Sequence, residues 1–249
     1  GPIESHGPQG PVAGLNDRDA VLARLTELVE AQNDPDRPVI TWGYDPGMQN
    51  GHLDRDMLDR ISDEVPIWVG ASRTRDSFDC AGRENFNIMM NQYPMTPHEA
   101  HERFGWYLDA WKDSGRAEGS HEAMMSVFLH IADTEEEAVA EAKRAVQEHA
   151  NLFRLLFSGD QWNEDYAGDE SVFDFLAPDG DIARMFRERT CIGTPEQVIE
   201  RIERYRDWGF TEMSFIVRTG EIGQDQALRT MERFNNEVAP AFRGKQAAG

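Results

Sequence analysis

Pro66-Ile67-Trp68-Val69-Gly70-Ala71-Ser72-Arg73-Thr74-Arg75-Asp76-Ser77-Phe78-Asp79-Cys80-Ala81-Gly82-Arg83, followed by Phe86-Asn87-Ile88-Met89-Met90, reads as strand, small-residue turn, helix and strand. Pro66 and the Gly70-Ala71 pair bracket a short apolar run, the pattern of a strand buried on both faces. Ser72 or Thr74 is placed to cap a helix carrying Ser77, Phe78 and Ala81, and Gly82 is expected to close it. A helix that starts directly after a parallel strand presents backbone N–H groups with no acceptor of their own. Hydroxyls and two arginines, Arg73 and Arg75, stand beside them, a combination suited to a phosphate. The same residues also read as a capped surface helix with solvated arginines, and the pattern alone leaves both readings open.

Strand and helix alternate on both sides of this stretch. Residues 1–14 are rich in Gly and Pro and are expected to be irregular. Asp17 and Asp19 open a helix with Val21, Leu22, Leu25, Leu28 and Val29 on its apolar side, stopped by Asn33-Asp34-Pro35-Asp36. A strand follows at residues 39–42, a turn at Tyr44-Asp45-Pro46-Gly47, and a short helix over residues 53–61. Downstream, Thr96-Pro97 with Glu99 opens a helix whose inner face is Ala100, Phe104, Tyr107, Leu108 and Trp111, halted by Ser114-Gly115. Residues 124–131 read as a buried strand, and Thr134 with Glu137 caps a helix reaching about residue 150. The stretch from Leu152 to Met185 holds Trp162, Tyr166, Phe173 and Phe175 with no clean period, which suits either an aromatic-lined lid or cover for a core. Thr194-Pro195-Glu196-Gln197 starts a further helix ending at Gly209. Residues 212–217 form a strand, and a last helix over residues 224–238 stops at Pro240. Such alternation means an α/β protein with a parallel sheet.

The chain has 249 residues and a formal charge of −21. That balance argues against nucleic acid and against an anionic membrane surface as partners. Any anionic cofactor needs a local basic pocket. The two cysteines, Cys80 and Cys191, make no disulfide framework and read as small buried hydrophobes. No apolar run is long enough to span a bilayer and no signal peptide is visible, so a soluble cytoplasmic protein is expected.

Residues 66–243 resemble the carboxyl-terminal half of the luciferase-like flavin-dependent monooxygenases, a family that includes bacterial luciferase and relatives using the deazaflavin F420. The resemblance is carried by the opening stretch through Ser72, by Ala81-Gly82-Arg83 with Phe86-Asn87-Ile88-Met89, and by Ala132-Asp133-Thr134-Glu135-Glu136-Glu137-Ala138. Gly193-Thr194-Pro195-Glu196-Gln197-Val198, Trp208-Gly209-Phe210 and Val238-Ala239-Pro240-Ala241-Phe242-Arg243 complete it. It implies a (β/α)8 TIM-barrel fold of which this region is strands five to eight. It further implies that the turn after strand five helps hold the flavin phosphate, which carries over to Ser72 and, by position, to Thr74 and Arg75. The family often has Ser or Thr where Arg75 stands.

Residues 1–65 resemble instead a fragment of the metal-dependent amidohydrolases. The similarity lies in Ile3-Glu4-Ser5-His6-Gly7, Trp42-Gly43-Tyr44-Asp45, Gly51-His52-Leu53-Asp54-Arg55 and Leu58-Asp59-Arg60-Ile61-Ser62. That family's metal motif is His-x-His, and here Pro8 stands where the second histidine belongs, so no metal set is complete. The expected organisation is an amino-terminal fragment of one helix, one strand and one helix over residues 1–65, then a half-barrel over residues 66–249.

Five strands are expected, at residues 39–42, 67–70, 86–90, 125–131 and 213–217. Five cannot close a barrel of eight, so sheet edges are left open and a homo-oligomer is expected. Barrel sites lie at the carboxyl ends of the strands. Asn91 after the Met89-Met90 strand suits a hydrogen bond to a flavin ring or ribityl chain, and Arg218 after the last strand adds positive charge on the same edge. Met89 and Met90 read as core. His130 either faces the mouth of the sheet or is structural. The cofactor-binding candidates are therefore Ser72, Thr74, Arg75, Asn91 and Arg218, with FMN the expected cofactor and F420 the alternative. No catalytic residue is assigned, because the resemblance places the family's catalytic groups in the first half of the barrel. The reaction implied is oxidation of a small organic substrate by reduced flavin and oxygen. The alternatives are an inactive fused or truncated barrel fragment that self-associates and, more distantly, an amidohydrolase. Flavin absorbance separates the first two and metal analysis tests the third.

Overall fold

The computed structural model describes residues 9–12, 14–32, 39–42, 49–51, 53–62, 67–72, 74–157 and 182–243. His6, His52, Arg73, the turn at residues 44–47 and the aromatics of residues 158–181 lie outside the described residues. The chain divides into two compact units, Gly1–Ile67 with Glu84–Phe86, and Trp68–Arg83 with Asn87–Gly249.

The first unit holds β1 (Gln9–Pro11), α1 (Arg18–Glu30), β2 (Ile40–Trp42) and α2 (Arg55–Asp59). Asp17 caps α1 by accepting from the Ala20 N–H at 2.8 Å, and Asp54 caps α2 by accepting from Met57 at 2.8 Å. β1 was expected to be irregular and instead pairs in parallel with β2, Gln9 opposite Ile40 and Pro11 opposite Trp42. Gly10 and Pro11 read as turn residues in sequence, yet an edge strand tolerates a proline because one side of it needs no N–H. Among the described residues the unit therefore has two strands, where one was expected. Gln49 is buried beneath it and donates through Nε2 to the carbonyls of Val12 and Leu15.

The second unit is built from β3 (Trp68–Gly70), α3 (Arg75–Arg83), β4 (Asn87–Asn91), α4 (Pro97–Asp113), β5 (Ala123–Ile131), α5 (Glu135–Phe157), α6 (Ile182–Arg189), β6 (Cys191–Gly193), α7 (Pro195–Trp208), β7 (Glu212–Ile216) and α8 (Gln224–Arg233). Its strands are all parallel: β3 pairs with β4, β4 with β5, and β5 with both β6 and β7. β5 serves β6 and β7 as well as β4 because it is long. Residues 124–128 face β7, and Leu129, His130 and Ile131 face β6.

The helix starts follow from the capping residues. Thr96 and Glu99 exchange hydrogen bonds at the head of α4, as do Thr194 and Gln197 at the head of α7, each with proline in the first turn. Gly209 ends α7 in the left-handed conformation at φ 105°, where a side chain would be strained. α4 sends Ala100, Phe104, Tyr107 and Trp111 inward, and Phe104 stacks on Phe210 at 4.0 Å between centroids.

Several local expectations change. β3 is half-buried with Gly70 exposed, not covered on both faces. Met90 is core at 0 % exposure, but Met89, pointing the other way, is 38 % exposed. α5 runs on to Phe157. β6 is an added strand, too short and too close to a helix cap to show in an apolar pattern. The last helix loosens after Arg233 into a π turn (Phe234–Val238) and a 3-10 turn (Ala239–Ala241) carrying Pro240. Gly82 does not close α3; it lies inside it, at the crossing with α4.

Candidate active site

Because β3, β4, β5 and β7 are parallel, their carboxyl ends share one edge of the sheet. Gly70, Met89, Met124 and Glu212 stand on one rung, and Asn91, Ser126 and Ser214 on the rung two residues further along. Ala71 still donates to the Met89 carbonyl at 3.0 Å, so Ser72 is the first residue past the β3–β4 ladder. Ser72 and Asn91 thus end adjacent strands at matching heights, both half-buried. Arg218, exposed, follows β7 across the intervening β5.

Arg103 of α4 holds this turn in place. Its Nη1 donates to the Ser72 carbonyl at 2.6 Å, and its other terminal nitrogen lies 3.7 Å from Glu99. At the head of α3, the Thr74 and Ser77 hydroxyls pair at 2.8 Å, and the Ser77 N–H reaches the Thr74 carbonyl at 3.1 Å. The first N–H groups of such a helix have no intrahelical acceptor and carry its positive dipole end. Arg75 lies along the surface of α3: its guanidinium is 3.5 Å from Asp79 and 5.7 Å from the centroid of Trp106, with 64 % of its side chain exposed. The fold thus brings Ser72, Thr74 and Asn91 to one edge and leaves the Arg75 charge one helical turn away, paired.

The same edge carries groups that sequence reading passed over. Tyr93, just after β4, packs at 5.2 Å against Phe128. The His149 ring of α5 stands edge-on to Tyr93 at 5.7 Å and to Phe128 at 5.0 Å, and its Nδ1 is 3.0 Å from the Thr219 hydroxyl. Burial lowers the His149 pKa below its ordinary value, and burial pushes the Tyr93 phenol up to about 12. The signal for His149 was its place on the stripe Ala138, Ala142, Ala145, Val146 of α5, one helical repeat on. Arg103 was legible as the partner of Glu99 four residues earlier. Gln92 is buried beside Asn91. Its Nε2 donates to the Met95 carbonyl at 2.8 Å, while its Oε1 meets no donor among the described residues.

His130 is structural. It is 2 % exposed within β5, with Nε2 at 2.7 Å from Glu141 and Nδ1 at 3.3 Å from the Thr230 hydroxyl. Cys191 is buried, and burial pushes its thiol up to about 12, which suits a packing role. Cys80 is partly exposed. Among the described residues no three His, Cys, Asp or Glu side chains converge as a metal site would require, and no helix is long and apolar enough to cross a membrane.

A parallel α/β sheet with polar groups gathered at its carboxyl edge is the arrangement of barrel enzymes. The profile of the luciferase-like monooxygenases matches residues 14–212, and the chain belongs to that family. The match begins within the first unit. The chain is 27 % identical over 178 residues to the oxygenase component of flavin-dependent trigonelline monooxygenase from Acinetobacter baylyi, covering 71 % of this chain and 48 % of that protein. Among solved structures it is similar to monooxygenase RslO1 from Streptomyces bottropensis, with a TM-score of 0.53 and 22 % identity over 71 % of this chain and 48 % of that one. An F420-dependent secondary alcohol dehydrogenase in complex with an F420-acetone adduct gives a TM-score of 0.50 at 14 % identity, over 91 % and 63 %. These likenesses agree with the TIM-barrel type of fold. The chain spans about half the length of the flavin-dependent relative it matches.

Proposed function

We propose that this chain supplies the phosphate-holding half of a flavin-dependent monooxygenase site that oxidises a small organic substrate with reduced flavin and oxygen. The observation that supports it most directly is the juxtaposition at one sheet edge of the Ser72–Thr74 turn, the head of α3 and Asn91. The donor set fits a phosphate: the N–H groups of the first turn of α3, the Ser72 and Thr74 hydroxyls, and Arg75 once it swings from Asp79. The Ser72 carbonyl, an acceptor that would repel an anion, is already occupied by Arg103. Asn91 is placed for a ribityl or ring contact, and Arg218 adds charge on the β7 side. FMN is the cofactor that this phosphate site suits, with F420 the alternative. The flavin, when bound, supplies the reaction with oxygen; the protein orients it and keeps water away.

Fluorescence titration of FMN, with F420 in parallel, tests this. A charge-assisted hydrogen bond contributes about 1.5–3 kcal/mol, so Ser72→Ala or Arg75→Ala should weaken binding roughly tenfold or more without unfolding the chain. No binding by the parent at millimolar flavin would reject a flavin site in this chain alone and favour a fragment that acts only when completed. Binding unchanged by either substitution would remove Ser72 and Arg75 from the site.

A further inference from the structure

Asn50-Gly51 is the one asparagine–glycine pair in the sequence. It stands in the turn before α2, within the first unit. Both residues have left-handed backbone, at φ 60° for Asn50 and φ 118° for Gly51, which asparagine tolerates and glycine adopts without strain. Gln49, just before them, is 1 % exposed and donates to the carbonyls of Val12 and Leu15, so the turn is anchored on its inner side. Asn50 itself is exposed, and among the described residues no hydrogen bond or ion pair holds its side-chain amide. That amide can therefore turn to face its own backbone. The Arg18 guanidinium lies beside the next residue: its Nη1 is 3.6 Å from the place that a Cβ on Gly51 would occupy. Among the described residues no carboxylate pairs with Arg18.

We propose that Asn50-Gly51 is a self-modifying site, where the asparagine loses ammonia to become aspartate or isoaspartate and Arg18 promotes the step. The Gly51 backbone nitrogen attacks Cγ of Asn50 and closes a succinimide ring. The new C–N bond replaces the bond to the amide nitrogen, which leaves as ammonia with the Gly51 proton. Water then opens the ring. Attack at Cγ restores the ordinary backbone and leaves a carboxylate on residue 50. Attack at the backbone carbonyl of residue 50 leaves Gly51 joined through the side chain, an isoaspartyl link. Gly51 has no side chain to shield the attacking nitrogen. A cation beside that nitrogen favours its deprotonated form and the oxyanion that develops on the side-chain carbonyl. Asn85 is the internal contrast: it too is exposed with a positive φ, 62°, but Phe86 follows it, buried at 4 %, and hinders the nitrogen. The product carries its new charge beside Arg18, and the isoaspartyl form lengthens the backbone next to Gln49. The inference is independent of flavin binding.

The whole native chain is held in warm, mildly alkaline buffer, digested in acid, and its peptides are followed by mass spectrometry. Residue 50 should exchange its amide nitrogen for oxygen before any other asparagine, Asn85 included. The product should accept methyl groups from an isoaspartyl methyltransferase. Asn50→Gln, which would need a larger ring, should suppress the conversion at that position. Arg18→Gln, with the circular dichroism of the parent, should slow it several-fold. High salt screens the same charge and should slow the parent likewise, which decides the role of Arg18 should that variant fail to fold. An Asn50 that stays intact in the native chain while it converts in the urea-unfolded chain overturns the proposal. So does conversion at the parent's rate in the folded Arg18→Gln variant.

Discussion

Gly82 of α3 sits so close to α4 that a Cβ on it would stand 2.7 Å from the Cβ of Ala110, 2.7 Å from the Tyr107 carbonyl and 2.8 Å from the Trp111 nitrogen. Two of those atoms are backbone and cannot turn aside. Glycine inside a helix costs about 0.5–1 kcal/mol relative to alanine, so Gly82→Ala would stabilise an isolated helix. Here the clash should dominate, since overpacking typically costs about 1–3 kcal/mol. Urea denaturation should show a lower midpoint for Gly82→Ala. An unchanged or raised midpoint would mean that the two helices part easily.

The buried His130 and Thr230, with the exposed Glu141, link β5 to α5 and α8. Thr230 is 1 % exposed and His130 2 %, so neither can turn to water when its partner is lost. Thr230→Val keeps the shape and removes the hydroxyl, leaving the His130 Nδ1 without its partner. The expected loss is about 1–3 kcal/mol by chemical denaturation, with the fold preserved. A neutral Thr230→Val would show the 3.3 Å contact to be incidental.

Elements with strong punctuation were legible in the sequence: α4 and α7 by Thr-Pro starts, α1 by Asp17, and β5 by its apolar length. What escaped lacked a local signal. β1 and β6 are held by partners far along the chain, and their own three residues carry no period. Gly82 read as a helix stop because glycine serves both purposes, and only the position of α4 decides between them. The site was legible by strand ends, which gave Ser72 and Asn91 a common edge. Arg103 and His149 enter that edge from helices: Glu99 four residues earlier and the α5 apolar stripe mark the helix face each lies on, but which strand ends they meet is set by long-range packing. Arg75 shows the converse: its type suits an anion, but Asp79 and Trp106 hold it along the helix.

The two cysteines should differ in reactivity. Cys191 is 0 % exposed and its thiol is pushed up to about 12 by burial, so almost none is thiolate near neutrality. Cys80 on α3 is partly exposed. Titrating the native protein with an aromatic disulfide reagent should release one equivalent from Cys80, and a second only on unfolding. Rapid native labelling at Cys191, located by peptide mass, would contradict its burial in β6.

Stability should fall at both ends of the pH scale, for opposite reasons. The Tyr93 phenol is raised from 10.0 to about 12 by burial, so the folded chain keeps a proton that the unfolded chain releases. Its contribution is complete below pH 10.0 and is lost as pH rises through about 12. Burial raises Tyr107 and Tyr205 as well, so alkaline unfolding should be steep and should coincide with phenolate absorbance. His149 has the reverse sign. Its folded pKa is lowered from 6.5 by burial, so its contribution is present above 6.5 and is lost as pH falls through the folded value. His149→Gln removes the titration and should flatten the decline in stability just below pH 6.5 relative to the parent. Thermal midpoints of both proteins measured across that range decide it: parallel curves would mean that His149 reaches water and that other groups set the acid limb.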